Sequence, residues 1–241
     1  MYANSREVAT AQRDVHPDLA GRVRRALESP WQRPLAAHNR EAFAQALDFY
    51  RRCGGELILD AGCGTGLSTR QLAQRYPEAC VIGIDRSAER LSRQADAAGA
   101  LPGNALLLRA DLVDFWRLAL AHDLCPARHF LLYPNPYPKA SQLKRRWHAH
   151  PVFPVLMALG GELELRSNWR LYVEEFAQAL NQVTALAVSV ERFEPPQDGI
   201  ISPFERKYRD SGHALWRLCC RLEGGQWGAL RAAARPVENP A

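Results

Sequence analysis

From Leu57 to Leu180, short apolar runs alternate with segments of helical period, and this alternation constrains the fold more than any other feature of the chain. Strands are expected at Leu57–Asp60, Cys80–Asp85, Ala105–Ala110, His129–Tyr133 and Glu162–Arg166. Helices are expected between them, at Leu67–Tyr76, Ser87–Ala98, Val113–His122 and Pro151–Leu159, with another from Arg170 to about Leu180. Strands joined through helices form a mostly parallel sheet covered on both faces. Two further strands, Ala185–Phe193 and Ala214–Leu222, are separated only by the loop Glu194–His213, which predicts an antiparallel hairpin closing one end of the sheet. Upstream, Asn39 is placed to cap a helix through about Arg52, with Phe43, Leu47 and Tyr50 on one face. Residues 1–38, polar and interrupted by Pro17, Pro30 and Pro34, read as an N-terminal arm before a single domain over 39–241.

Glycines punctuate the end of the first strand. In Leu59-Asp60-Ala61-Gly62-Cys63-Gly64-Thr65-Gly66, the three glycines let the backbone turn sharply and leave room for a ligand over the start of the next helix. The spacing differs from the dinucleotide fingerprint, which cradles a pyrophosphate. Asp60 would repel a pyrophosphate and attract an ammonium, so the loop suits S-adenosylmethionine, a zwitterionic nucleoside without phosphate. Asp85 ends the second strand, where it can accept from both ribose hydroxyls, and Asp111 follows the third, where it can accept from the adenine amine. Any one of these acids alone would be an ordinary turn residue. Three at successive strand ends beside a glycine loop make a cofactor site.

After the fourth strand comes Tyr133-Pro134-Asn135-Pro136-Tyr137-Pro138-Lys139, a tip whose prolines are expected to hold the backbone extended. It presents an amide and an aromatic ring, and leads into Lys144-Arg145-Arg146. The chain carries a net charge of +5 over 241 residues, and between Asp123 and Glu162 it has no acidic residue while Arg128, Lys139 and the basic triplet all fall there. Such a patch is the electrostatic footprint of a nucleic-acid partner. The six cysteines show no C-x-x-C pair, and His148-x-His150 has no further ligand nearby, so no metal is expected and the thiols read as reduced. Without an apolar leader or a membrane-length apolar run, a cytoplasmic protein is expected, as monomer or homodimer.

Taken together, residues 55–222 resemble the bacterial tRNA (guanine-N7-)-methyltransferases. That family follows its fourth strand with F-P-D-P-W-P-K and a basic run, has T-D-W-x-x-Y after the fifth strand, and T-K-F-E between the last two. The counterparts here are the Tyr133–Lys139 tip with Lys144, Arg145 and Arg146, then Ser167-Asn168-Trp169-Arg170-Leu171-Tyr172, then Ser202-Pro203-Phe204-Glu205. The resemblance implies a Rossmann-like class I S-adenosylmethionine-dependent methyltransferase fold, with a seven-stranded sheet and an antiparallel terminal hairpin. It implies tRNA as partner, Asn135 and Tyr137 at the catalytic positions, and Asn168 on the substrate side. Lys139, Ser202, Phe204 and Glu205 would help bind the target nucleotide, with the basic run on RNA. Asn135 and Asn168 stand where the family carries Asp, and Tyr137 where it carries Trp. Asn135-Pro136-Tyr137 also approaches the N-P-P-Y motif of methyltransferases acting on exocyclic amines, and the loss of two carboxylates is compatible with an RNA-binding paralogue of weakened activity.

Overall fold

The computed structural model describes residues 5–29, 31–93, 100–184, 186–195 and 199–223. Seven strands form one sheet: β1 (Leu57–Ala61), β2 (Cys80–Asp85), β3 (Ala105–Arg109), β4 (Arg128–Leu132), β5 (Gly161–Ser167), β6 (Glu191–Phe193) and β7 (Leu215–Leu222). Their order is β3-β2-β1-β4-β5-β7-β6, with every pairing parallel except those of β7, which runs antiparallel to both β5 and β6. The chain winds outward from β1 to β3 and then crosses back to place β4 beside β1. This topological switch opens a crevice at the carboxyl ends of those two strands, where ligands of open α/β sheets bind.

Both central strands are buried along their whole length, as their unbroken apolar sequences require, because helices cover both faces. Side chains alternate between two cores. Leu57, Leu59, Cys80, Ile82, Leu131 and Leu163 face one core with α1 (Leu19–Glu28), α2 (Ala37–Cys53), α5 (Leu112–Ala121), α6 (Phe153–Ala158) and α7 (Arg170–Val183). Ile58, Val81, Phe130 and Leu132 face the other, with Leu72 and Ala73 of α3 (Leu67–Arg75) and Tyr208 of α8 (Pro203–Asp210). The helix α4 (Ala88–Ser92) follows β2, and residues 94–99 of the helix expected there lie outside the described residues.

Three expectations are corrected, and two others gain detail. The region between the last two strands is not merely a loop but holds α8, with Ser202 capping it by accepting from Phe204 N (3.2 Å) and Pro203 in its first turn. The two end strands pair antiparallel as expected, joined through this helical connection. Strand β6 is only Glu191–Phe193, shorter than the expected Ala185–Phe193, of which Ala185 lies outside the described residues. The arm contains α1, whose Leu19 and Val23 are buried in the same core as β1. Finally, α2 starts at Ala37, so Asn39 is not its cap. It sits buried inside the helix and donates to Asp114 Oδ2 (2.7 Å) while accepting from Asp111 N (3.0 Å).

Candidate active site

The loop after β1 turns through three positive φ angles, 83° at Gly62, 61° at Gly64 and 79° at Gly66, a path that side chains with a Cβ resist. At Gly66 a Cβ would also stand 2.4 Å from Leu107 Cδ1, whereas at Gly62 and Gly64 it would meet nothing within 4 Å. The outer face of the loop is therefore open to a ligand. Asp85, at the end of β2, locks the loop: its Oδ2 accepts from Gly64 N (3.0 Å) and its Oδ1 from Ser87 N (2.8 Å). A carboxylate has further lone pairs beyond these two bonds, so ribose hydroxyls can still be accepted. After β3, Asp111 Oδ1 caps α5 by accepting from Val113 N (2.8 Å), a structural role on the same edge of the sheet.

Asp60 is the exceptional group. Its Oδ2 accepts from Ser68 Oγ (2.6 Å) and Thr69 Oγ1 (2.7 Å), while its buried Oδ1 has no hydrogen-bond partner. Burial raises its pKa to about 6 against the lowering effect of the two hydroxyls, and the charge of Asp85 adds a smaller upward push. A buried carboxylate oxygen without a donor, beside an open glycine loop, fits a cationic group such as an α-ammonium and disfavours a pyrophosphate. Cys63 in the same loop is no nucleophile, because burial and then the charges of Asp60 and Asp85 push its thiol well above the usual range.

The tip after β4 reaches the same edge, since Asp60 pairs with Phe130 in the sheet register. Its backbone is not simply extended. Tyr133 and Tyr137, each preceding a proline, take left-handed φ angles of 52° and 45°. Such conformations cost a non-glycine residue on the order of 1–3 kcal/mol and persist only where the surroundings dictate them. Asn135 is exposed, its Oδ1 touched only weakly by Tyr137 N at 3.4 Å. Lys139, Lys144 and Arg145 are exposed, and the Arg145 guanidinium lies over the Tyr137 ring at 5.6 Å.

Three residues expected at the substrate or RNA are instead buried. Arg146 is fully buried and paired with Glu175 at 2.5 Å, so it cannot reach an RNA phosphate. Glu205 is likewise fully buried: its Oε1 accepts from Arg166 Nη1 (2.7 Å) and Tyr133 Oη (3.0 Å), and its Oε2 from Ile201 N (3.0 Å). It shares Arg166 with Glu164, whose Oε1 accepts from Arg166 Nε (2.7 Å), and so ties α8 to β5 and to Tyr133. Ser202 is a buried cap, whereas Phe204 is exposed and stacked on Tyr208 with centroids 6.2 Å apart. Asn168 Nδ2 lies 3.2 Å from His213 Nδ1, whose Nε2 contacts Ser5 O at 2.8 Å. Among the described residues no group of three or more His, Cys, Asp or Glu could hold a metal, and no helix is long and apolar enough to cross a membrane.

This constellation has a family. Residues 55–218 match the model of a methyltransferase family, described as "Putative methyltransferase". The chain belongs to that family. A tRNA (guanine-N(7)-)-methyltransferase of Paraburkholderia xenovorans is 25% identical over 173 residues, 69% of this chain and 66% of that protein. One from Methylobacillus flagellatus is 26% identical over 177 residues, 71% of this chain and 74% of that protein. The chain thus spans about two thirds of the length of the first of these relatives. Among solved structures, the 16S rRNA methyltransferase KamB superposes with a TM-score of 0.53 at 18% identity, covering 79% of this chain and 95% of that one. The likeness to KamB establishes the class I methyltransferase fold.

Within this methyltransferase family frame, sequence reasoning missed Asn39, which bridges α2 to the Asp111 turn, and Glu175, which anchors Arg146. Asn39 looks like a cap in sequence because a polar residue before an apolar helical stripe is the usual cap signal. Glu175 carried no signal at all, since one Glu on an amphipathic helix looks like any solvated residue until its partners are known.

Proposed function

We propose that the chain is an S-adenosylmethionine-dependent RNA methyltransferase acting on guanine N7 of tRNA. The observation that carries the cofactor reading is the unpartnered Asp60 oxygen beside the open Gly62–Gly66 loop and the Asp85 carboxylate. Asp60 would meet the cofactor's ammonium and Asp85 its ribose, with Asp111 on the adenine side. The substrate reading is supported by what the relatives are named for and by the exposed cations Lys139, Lys144 and Arg145 beside the Asn135–Tyr137 tip. When bound, the cofactor supplies an electrophilic methyl group. Guanine N7 carries no proton to remove, so the protein's task is to align the base and support positive charge.

Asn135 would orient the base through its amide, Tyr137 and Phe204 offer rings for stacking, and the three cations would hold flanking phosphates. A competing reading, methylation of an exocyclic amine, draws on one specific observation. Asn135 stands where the resembled family's motif has Asp, and Glu205 does not supply that charge because it is fully buried and held by Arg166 and Tyr133. Incubating the protein with tRNA and labelled cofactor, then identifying the modified nucleoside by mass spectrometry, separates the two. Label in 7-methylguanosine supports the proposal; label on an exocyclic amine supports the alternative. No label in any nucleoside leaves only an RNA-binding protein.

A further inference from the structure

A single buried carboxylate gathers four donors from two parts of the chain. Glu175 Oε1, on α7, accepts from Gln12 Nε2 (2.7 Å) and His16 N (2.9 Å) of the N-terminal segment. Its Oε2 accepts from Arg146 Nη1 (2.5 Å) and His148 Nε2 (2.9 Å), just beyond the tip. Burial disfavours the Glu175 anion, but the hydrogen bonds from His148 and Arg146 and the Arg146 charge outweigh it and hold the carboxyl below the usual range. Burial also lowers the His148 pKa, and its Nδ1 has no partner, so a neutral ring donating through Nε2 fits the site.

Arg146 turns this node toward the tip. Its Nε and Nη2 both donate to the carbonyl oxygen of Tyr137, at 3.2 and 3.1 Å, while its guanidinium lies over the Trp169 ring at 4.8 Å. The residue so gripped is one of the two tyrosines in left-handed conformation. A buried ion pair is weak evidence for stability, because desolvation offsets its attraction. A left-handed tyrosine, in contrast, needs surroundings that over-determine it, and a forked donor on its carbonyl does so. The N-terminal segment closes the arrangement, with Thr10 Oγ1 donating to Pro138 O (2.8 Å) and Gln12 Oε1 accepting from Arg146 Nη2 (3.0 Å).

We infer that Arg146 and Glu175 are positioning residues, a buried clamp that fixes the Tyr137 backbone and so aims Asn135 and the Tyr137 ring at the substrate. Neither touches RNA. The inference rests on the proposed function for its kinetic consequence alone; the conformational consequence stands apart from it.

The test uses the full chain carrying Arg146→Met with Glu175→Gln, which removes both charges together and keeps an acceptor for Gln12 and His16. Arg146→Lys is a second variant, one that keeps the charge on Glu175 partnered but replaces the fork with a point donor. Hydrogen exchange read by mass spectrometry should quicken at least tenfold in peptides spanning 137–146 and stay unchanged in the Gly62–Gly66 loop. On tRNA, kcat should fall by about tenfold to a hundredfold, the penalty of a misplaced reacting group, while KM and the salt dependence of tRNA binding stay at wild-type values. If the double variant does not fold, the Arg146→Lys exchange and kinetics decide. Wild-type exchange in the tip with wild-type kcat would overturn the clamp. A raised KM with a shallower salt slope would overturn it in favour of a phosphate contact. If the wild-type protein makes no methylated product, the proposed function fails, and tip exchange alone decides the clamp.

Discussion

Asp60 sets a pH dependence on cofactor binding that can be worked out from its surroundings. Its folded pKa is about 6 against an ordinary 3.8, with burial as the main cause. The raised value means that in the free protein this group contributes stability at acid pH, below its unfolded pKa. That contribution is lost as pH rises through about 6, and is worth about 3 kcal/mol in full at about 1.36 kcal/mol per unit. A cofactor ammonium reverses the preference, because it pairs with the ionised form. Affinity should therefore climb as pH rises through about 6, and at pH 5, where roughly one tenth of Asp60 is ionised, it should be about tenfold weaker than at pH 7. The cofactor's own amine, with a pKa of about 7.7–8.0, loses a substantial share of its protons above about pH 7, so calorimetric titrations between pH 5 and about pH 7 isolate the carboxylate. In Asp60→Asn the profile should flatten, plateau affinity should fall by about 1.5–3 kcal/mol with the charged partner gone, and the free protein should melt higher at pH 7. A wild-type affinity that is flat from about pH 5 to about pH 7 would refute the assignment of Asp60 to the ammonium.

Three further outcomes follow from the site. Replacing Lys144 and Arg145 together with alanine should reduce the slope of log affinity for tRNA against log salt by about 0.7–0.9 per lost contact, leaving cofactor affinity intact; an unchanged slope would make them a solvated face. Asn135→Asp should raise turnover at guanine N7, with a ceiling of roughly a hundredfold from a charge worth about 3 kcal/mol at about 5 Å and an effective dielectric near 20; a fall in rate with an exocyclic amine product would favour the competing reading. Glu205→Leu should leave the buried Arg166 with only the partly exposed Glu164 and Tyr133 Oη and Ile201 N without their acceptor, destabilising the chain by roughly 1–3 kcal/mol, seen as a lower melting temperature; an unaltered melt with lost activity would restore Glu205 to the substrate side.

Much of the fold was legible because its signals are local. The runs that became β1 and β2 have no polar face, and the glycine loop can occupy only a strand-to-helix turn. Helix α8 was hidden for a physical reason: it is short, with one turn of apolar contact through Phe204 and Tyr208. Its start signals, Ser202 before Pro203 with Glu205 in the first turn, were present but read as a substrate motif. Arg146 shows the limit most clearly. In sequence it is indistinguishable from Lys144 and Arg145, and only tertiary packing shows that one of three adjacent cations points inward to Glu175. The prolines of the tip imply an extended backbone, whereas Tyr133 and Tyr137 take left-handed conformations that local propensity disfavours.

The central claim, methyl transfer to guanine N7, is tested most directly by the chemical lability that this modification confers. An N7-methylated guanine is reduced by borohydride, and the tRNA chain then breaks at that nucleotide on aniline treatment. After incubation with the protein and S-adenosylmethionine, an unmodified tRNA transcript should break at one discrete guanosine, and the break should vanish when the cofactor is omitted. An intact transcript that has nevertheless taken up label would place the methyl group elsewhere and contradict the account.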